Sequence, residues 1–500
     1  MDEHPSIAVI GPPPKDFNLA AYVTGKAHET PDKPALILGD GQIWTFDRLL
    51  QDVRAIAGGL QAQGFVPGDR VLMRLGNSPD FPIVFLGAIY AGLVPIPTSA
   101  ALTSSEVSRI VAEAAPCCVV GEPHLVPDDL VVPLIAPDSL RGANAAPHPA
   151  LGDPHRPAYI VYTSGTSGVP RAVVHAHRAV WARRMMWDGW YGLRPDDVVL
   201  HAGAFNWTYT LGTGLLDPWA CGATAVIPVD GTPVDDLPQL LQDHAATIFA
   251  AAPGVYRRLL RHDLPPLPQL RHGLSAGEKL PEVTAAAWQA ATGRPLLEAY
   301  GMSECSTFIS SNPERRSAGL GWPQPGRRIA LLGPDGPVET GASGQIAVHQ
   351  DDPGLMLEYL NAPEETARRF HDGWFLTGDI GHVGADGAIH YDGRVDDMMN
   401  AGGYRVSPIE VEKTLNAHPD VAECAACEIS VGPATTIIAA FYVAANVIDD
   451  TALAAFCKAD LASYKVPRAF IRVDALPRGA NNKILRKRLR EDWETTHGEA

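Results

Sequence analysis

The strongest constraint on the fold is a rhythm in which short apolar runs end in turn residues and are mostly followed by text of helical period. From about Trp44 to Pro97 the sequence predicts a helix over Phe46 to Gln63, the turn PGDR, a strand VLMRL, a helix over Phe81 to Ala91 and the run VPIP. The same pattern recurs through ALILG, CCVVG, AYIVYTS, DVVLHA, ATAVIPV and TIFAAAP. Alternation of this kind specifies a large layered α/β region, because each strand must find apolar cover on its faces. Past about residue 320 the helical text thins, and GRRIALLGPDG, GASGQIAVHQ and GAIHYDGRVDDMM read as short strands joined by Asp-Gly and Gly-rich turns. That is the text of a small β-rich subdomain. After Asn400 helix returns in SPIEVEKTLNA, followed by strands near Cys424 and Ile437 and a basic tail, NNKILRKRLR. A chain of 500 residues exceeds what one hydrophobic core can organise, so at least two domains are expected, with a boundary near Asp396.

With 46% hydrophobic and 19% charged residues, the composition is that of a soluble globular protein. Lys and Arg number 40 against 57 Asp and Glu, a formal charge of −17, which argues against a broad nucleic-acid surface or an anionic membrane as partner. A polyanionic ligand would therefore have to meet a local cluster of basic groups. No apolar run approaches the roughly 18 residues that a membrane span needs. The opening MDEHPSIAVIGPPPKDF matches neither a signal peptide nor a transit peptide, and THGEA is no peroxisomal tripeptide, so a cytoplasmic location is expected. Seven cysteines, an odd number thinly spread, read as free thiols. Cys424 and Cys427 form a CxxC, but without a second pair or a nearby histidine they read as buried structural residues and not as a zinc site.

The most informative segment is YIVYTSGTSGVPRAVVHAH, residues 159 to 177, a strand running into a loop of Thr163, Ser164, Gly165, Thr166, Ser167 and Gly168. Small hydroxyl residues and glycines let backbone N–H groups and hydroxyls approach phosphate oxygens, and Arg171 adds a bidentate cation nearby. Taken alone, such a loop reads better as an exposed turn. It is no Walker A loop, since Val169-Pro170 stands where that motif requires Lys-Ser/Thr.

The loop resembles the signature of the adenylate-forming superfamily of acyl-CoA synthetases, adenylation domains and luciferases. The resemblance continues in order through PGDRV (67–71), YAGLVPIPTS (90–99), SAGEKLP (275–281), AYGMSE (299–304), GWFLTGDIG (373–381), GRVDDMMNAGGYRVSPIEVE (393–412) and LPRGANNKILRKRLR (476–490). An ordered set spread over most of the chain makes a chance match negligible. The resemblance implies an α/β fold with a large multi-layered N-terminal AMP-binding domain over residues 1–395, including the β-rich subdomain. A small mobile α+β domain over 396–500 would follow, with the hinge at Asp396.

The resemblance also assigns roles. Tyr300, Gly301 and Met302 of AYGMSE would close around the nucleotide, with Tyr300 flanking the adenine, Ser303 bonding the α-phosphate and Glu304 holding Mg²⁺. Gly277 and Glu278 would lie near the adenine edge. Asp379 would accept hydrogen bonds from the ribose hydroxyls, and Arg394 would reach the ribose or the phosphate. Lys483 would bridge the substrate carboxylate and the α-phosphate during adenylation, although Asn482 replaces the family's usual glycine before it. Asn tolerates left-handed backbone angles better than most residues, so the loop geometry can survive.

Chemistry of this kind needs ATP and Mg²⁺, releases pyrophosphate and leaves an acyl-adenylate. By the same resemblance, Gly402, Gly403 and Tyr404 would line a narrow tunnel for a pantetheine arm, making coenzyme A the expected acceptor. Loading of a separate carrier protein and a non-catalytic nucleotide-binding relative are the alternatives. FNWTYTLGTG (205–214) resembles the acyl-gate segment of benzoate-type ligases, with Trp207 as the gate. Phe205, Tyr209 and Phe308 suggest an uncharged aromatic, alicyclic or short-to-medium aliphatic acid, although each could equally be core packing. A homodimer and acetylation of Lys483 by a lysine acetyltransferase complete the expectations.

Overall fold

The computed structural model describes residues 10–146, 148–163, 171–401, 404–432, 435–478 and 484–497. Two compact units emerge, the first formed by Met1–Arg328 with Val348–Phe375 and the second by Ile329–Ala347 with Leu376–Ala500.

The first unit is built on a nine-stranded sheet whose order runs Trp322–Pro323, Ser306–Ser310, Leu296–Met302, His272–Ala276, Ile248–Ala251, Val198–His201, Thr224–Ile227, Pro34–Leu38, Ile43–Thr45. The strands from Leu296–Met302 across to Pro34–Leu38 are parallel, and the outer ones join antiparallel. The continuous apolar runs of the sequence follow from burial on both faces. Along Ile248–Ala251, Ile248 and Ala250 enter a core with Trp190 and Tyr209, while Phe249 and Ala251 enter another with Tyr256 and Trp288.

A second, parallel sheet orders Val94–Pro97, Arg70–Arg74, Cys118–Gly121 and Leu134–Ile135. The helix Phe46–Ala62 starts where Thr45 accepts a hydrogen bond from the Arg48 N–H, and it buries Phe46, Leu49, Val53, Ile56 and Leu60 along one stripe. The Pro157–Thr163 and Arg171–Ala176 strands form an antiparallel hairpin, with Glu358–Tyr359 added at its edge.

The second unit holds the β-rich segment (Ile329–Gly333, Gly336–Pro337, Ser343–His349, Trp374–Val383, Ile389–Arg394), of which Ser343–His349 and Trp374–Val383 straddle the unit boundaries. It also holds the helices Pro408–Leu415, Asp450–Asp460 and Arg486–His497 and the sheet Glu423–Gly432, Thr435–Val443, Ala469–Arg472. Compactness thus groups the strands on either side of residue 376 with the C-terminal part, and Asp396 lies inside this unit. A hinge is a statement about motion, which compactness does not address. Cys424 and Cys427 are buried and free, and their odd spacing on one strand sends them into different cores, Cys424 with Val411 and Cys457, Cys427 with Phe441 and Leu489. No described helix is long and apolar enough to cross a membrane.

Two stability predictions follow from burial in the first unit. A β-carbon at Gly59 would lie 2.2 Å from the Leu140 carbonyl oxygen and 2.7 Å from its Cα. Gly59→Ala should therefore cost about 1–3 kcal/mol by overpacking, read as a lower urea midpoint, whereas Gly25→Ala, with nothing within 4 Å, should not move it. Burial also pulls His175 down to about 4 and His177 to about 3, below the ordinary value of 6.5. Their contribution to stability is therefore complete above about pH 6.5 and is lost as pH falls towards those lower values, because the unfolded chain binds protons that the folded chain refuses. Between pH 6.5 and 5 each should cost about 2 kcal/mol. Urea midpoints should fall over that range, and less steeply in His177→Asn, whose amide oxygen can still take the Leu19 N–H that His177 Nδ1 now accepts.

Candidate active site

Parallel sheets bind ligands in the crevice beyond the carboxyl ends of their strands. In the first unit those ends are His201, Ala276 and Met302, and the segments that leave them carry Trp207, Gly277 and Glu304. Residues separated by about a hundred positions thus arrive at one edge because the strands between them are parallel.

The turn from Ser303 to Cys305 joins the antiparallel strands Leu296–Met302 and Ser306–Ser310, so Glu304 occupies a hairpin turn. Gly301 permits the close approach of the two strands, since a β-carbon there would meet the Ser306 carbonyl oxygen at 2.1 Å. Ser306 stands at φ +58°, a left-handed angle that a residue with a β-carbon rarely adopts and that surrounding contacts must hold. Side chains around the turn supply those contacts. His175 Nε2 lies 2.7 Å from the Ser303 carbonyl oxygen, and since that oxygen can only accept, the neutral ring donates from Nε2. Arg327 donates to the carbonyls of Cys305 and Thr307, both at 2.9 Å, while its Nε is paired with buried Asp352 at 2.9 Å. Arg183 donates to Ser306 Oγ at 2.5 Å and to Asp217 through Nε at 2.8 Å. Tyr359 donates its hydroxyl to Glu304 Oε1 at 2.7 Å, and burial beside that carboxylate pushes the phenol pKa up.

Glu304 is buried and one of its oxygens is occupied by Tyr359. A fixed carboxylate with a second oxygen to give suits Mg²⁺, which takes one or two protein carboxylates together with substrate phosphates. Above the turn, Tyr300 sets its ring edge to face with Phe308, centroids 5.2 Å apart.

On the acyl side, a β-carbon at Gly277, φ +96°, would lie 2.5 Å from Trp207 Cζ2, so the proposed adenine-edge glycine and the proposed gate are neighbours. Trp207 is half-buried and meets Tyr209 edge to face at 5.1 Å. Tyr209 is buried and donates its hydroxyl to the Leu274 carbonyl at 3.1 Å. Phe205 and Phe308 are fully buried, Phe205 against Phe81, which is the core-packing alternative for both. Glu278 is half-buried after Gly277.

Thr163 ends one strand of the hairpin and pairs with Arg171 at the start of the next. Ser164, Gly165, Thr166, Ser167 and Gly168 lie outside the described residues, as do Gly402, Gly403 and Lys483, and the side chain of Tyr404. Arg171 Nε is bound to the carboxylate of Glu365, a partner that no motif announced.

Within the second unit, Asp379 and Arg394 face each other across the antiparallel pair, Nη1 to Oδ1 at 3.4 Å. Tyr391 donates to the same Asp379 oxygen at 3.2 Å. Asp396 sits in the turn that follows, where the Asp397 and Met398 N–H groups both donate to the Arg394 carbonyl. Arg486 binds Glu412 through Nε and Nη2 at 2.9 and 2.7 Å and approaches Asp397 at 3.5 Å.

His175, Arg183, Arg327, Tyr359 and Tyr391 escaped sequence reasoning. His175 stood inside the quoted loop motif, and Arg327 and Tyr391 inside quoted strand-like text, where each looked like one more strand residue.

Comparison with known proteins identifies the family. The AMP-binding enzyme family matches residues 23–360, and the AMP-binding enzyme C-terminal domain matches 410–483. The chain is 32% identical to a benzoate–CoA ligase of Thauera aromatica over 91% of this chain and 92% of that one. It is 30% identical to a 3-hydroxybenzoate–CoA ligase of Aromatoleum sp. (strain CIB), over 92% and 93%. The crystal structure of an anthranilate CoA ligase with anthranoyl-AMP superposes with a TM-score of 0.87 at 26% identity, covering 96% of this chain and 98% of that one. The chain belongs to the AMP-binding enzyme family, within the adenylate-forming acyl-CoA synthetase superfamily.

Proposed function

We propose that this protein is an AMP-forming carboxylate–CoA ligase whose substrate is an uncharged aromatic acid. The observation that carries the reading is the segment Ser303–Thr307, a turn and strand start held by buried side chains that can offer Glu304 to a cation. The relatives named above, each aligned over more than nine-tenths of this chain, act on aromatic acids and coenzyme A, which favours free CoA over a carrier protein as acceptor.

In the first step the acid's carboxylate attacks the α-phosphorus of ATP, the bond to the β-phosphate oxygen breaks, and pyrophosphate leaves. Little acid–base work is needed, so the protein's contribution is positioning and charge compensation. Mg²⁺ held by Glu304 would neutralise phosphate charge. Lys483 bridges carboxylate and α-phosphate, Arg171 and the 163–168 loop take phosphate oxygens, Asp379 and Arg394 fix the ribose, and Tyr300 with Gly277 and Glu278 flanks the base. Rotation about Asp396 then withdraws Lys483 and brings Gly402, Gly403 and Tyr404 to guide the CoA thiol to the acyl carbonyl, releasing AMP. Residues 1–395 and 396–500 would be the two bodies of that motion. A cytoplasmic location and a homodimer fit the reading. Acetylation of Lys483 would silence the first step, and mass spectrometry of native protein should find that lysine modified.

The decisive assay is pyrophosphate release from ATP and Mg²⁺ with panels of benzoates, alicyclic acids and linear acids, with and without CoA. Benzoates should give the fastest CoA-dependent turnover, and Lys483→Ala should lose it; adenylate that CoA never consumes would instead point to another acceptor. Tyr359→Phe should raise the Mg²⁺ concentration for half-maximal turnover by about 10–100-fold, as removal of a group that orients a metal ligand does, with little change in thermal midpoint.

A further inference from the structure

We propose that His201, with Thr210 beside it, forms a polar end to the acyl site and selects aromatic acids that carry a hydroxyl group on the ring. The inference rests on the ligase reading above and names its substrate more closely.

His201 ends a central strand of the sheet, at the edge where the site lies, and is fully buried, as is Thr210. Its Nδ1 accepts the Gly203 N–H at 3.1 Å. The neutral ring therefore carries its proton on Nε2. Burial pulls its pKa down to about 3, so the ring stays neutral at working pH. Neither His201 Nε2 nor Thr210 Oγ1 has a hydrogen-bond partner among the described residues. A buried donor left unmatched costs about 1–3 kcal/mol, and native proteins rarely leave two side by side unless something else meets them.

Their surroundings indicate what that is. The His201 ring lies edge to face against Tyr209 at 4.4 Å, and Tyr209 against Trp207 at 5.1 Å, so the imidazole is the second ring along from the proposed acyl gate. Two glycines let the backbone pack close against it. A β-carbon at Gly203 would fall 2.1 Å from Thr210 Oγ1 and 3.1 Å from His201 Cε1, and one at Gly214 would fall 2.8 Å from His201 Cβ. The Gly203 contacts also show that the threonine hydroxyl and the imidazole border the same spot.

Donor chemistry then narrows the ligand. Nε2–H can only donate, while Thr210 can donate or accept. A phenolic hydroxyl accepts from His201 and donates to Thr210, satisfying both at once. An aromatic amine is a poor acceptor because its lone pair is drawn into the ring. A bare ring edge satisfies neither group. Sites that hydrogen-bond a substrate hydroxyl discriminate strongly against the analogue lacking it.

The test compares kcat/KM for pyrophosphate release with benzoate, the three monohydroxybenzoates and the three aminobenzoates, using the full chain with ATP, Mg²⁺ and CoA. One hydroxybenzoate should exceed benzoate and the matching amine by on the order of 10² or more. In His201→Phe that ratio should collapse towards one; His201→Gln, which keeps an N–H donor at the ε position, should retain part of it, and Thr210→Val should lower it. Wild-type protein that uses benzoate as well as every hydroxybenzoate, or a His201→Phe protein with an undiminished ratio, overturns the proposal. Should His201→Phe fail to fold, the wild-type ratio and Thr210→Val still decide. Failure of the ligase reading looks different, since no aromatic acid would then release pyrophosphate, and this proposal would fall with it.

Discussion

Two buried guanidinium–carboxylate pairs set the geometry on which the candidate site depends. Arg327–Asp352 and Arg183–Asp217 are almost wholly removed from water, an arrangement that is tolerable only when every remaining N–H finds a partner. Those remaining N–H groups are what hold the Ser303–Thr307 turn: Arg327 spends its two Nη groups on the carbonyls of Cys305 and Thr307, and Arg183 directs one to Ser306 Oγ. The desolvation that makes such pairs costly also makes them directional, because a guanidinium with no solvent to turn towards has one stable orientation. Glu304 thus sits in a turn whose backbone is fixed on both flanks.

Arg183 has a second reach. Besides Ser306 it touches Thr213, which lies in the π-helical stretch Thr210–Leu216 that follows the Trp207 segment. One guanidinium therefore contacts both the stretch that follows Trp207 and the strand start that follows the Glu304 turn. Stretches of π-helix are uncommon and gather at functional sites, where the widened turn places side chains that a regular helix would misdirect. Here it allows Gly212 to pass against the Arg183 guanidinium, a spot where a β-carbon would lie 2.3 Å from Cζ.

Much of the scaffold was legible because it is local. The helix Phe46–Ala62, the helix Asp80–Tyr90 and the strand Val94–Pro97 fall within a residue or so of where period and turn residues put them. Motif strings picked out Glu304, Gly277 and Trp207, and the parallel order of the strands explains why their segments leave the sheet at one edge. The clamp around the turn was not legible. His175 and Ser303 are 128 residues apart, Arg183 and Ser306 are 123 apart, and Tyr359 and Glu304 are 55 apart. Nothing in the neighbourhood of an isolated tyrosine in LEYLN reveals that its hydroxyl will meet a carboxylate; only the register of Tyr359 against Val173 brings it there. Phe205 and Phe308 illustrate the converse, since an aromatic residue beside a site motif serves the core as readily as the ligand.

The chain passes between the two compact units more than once, leaving the first at Ile329, returning at Val348 and leaving again at Leu376. This has a consequence for synthesis on the ribosome. The strands Ile329–Gly333 and Ser343–His349 emerge before Trp374–Val383, the strand that lies beside Ser343–His349 and whose Thr377 hydroxyl binds the Ile346 carbonyl. At about 5–20 residues per second, an open sheet edge waits for a few seconds until that neighbour is made. The nascent protein therefore has a defined interval in which strand exchange between chains on one polysome competes with completion of its own sheet.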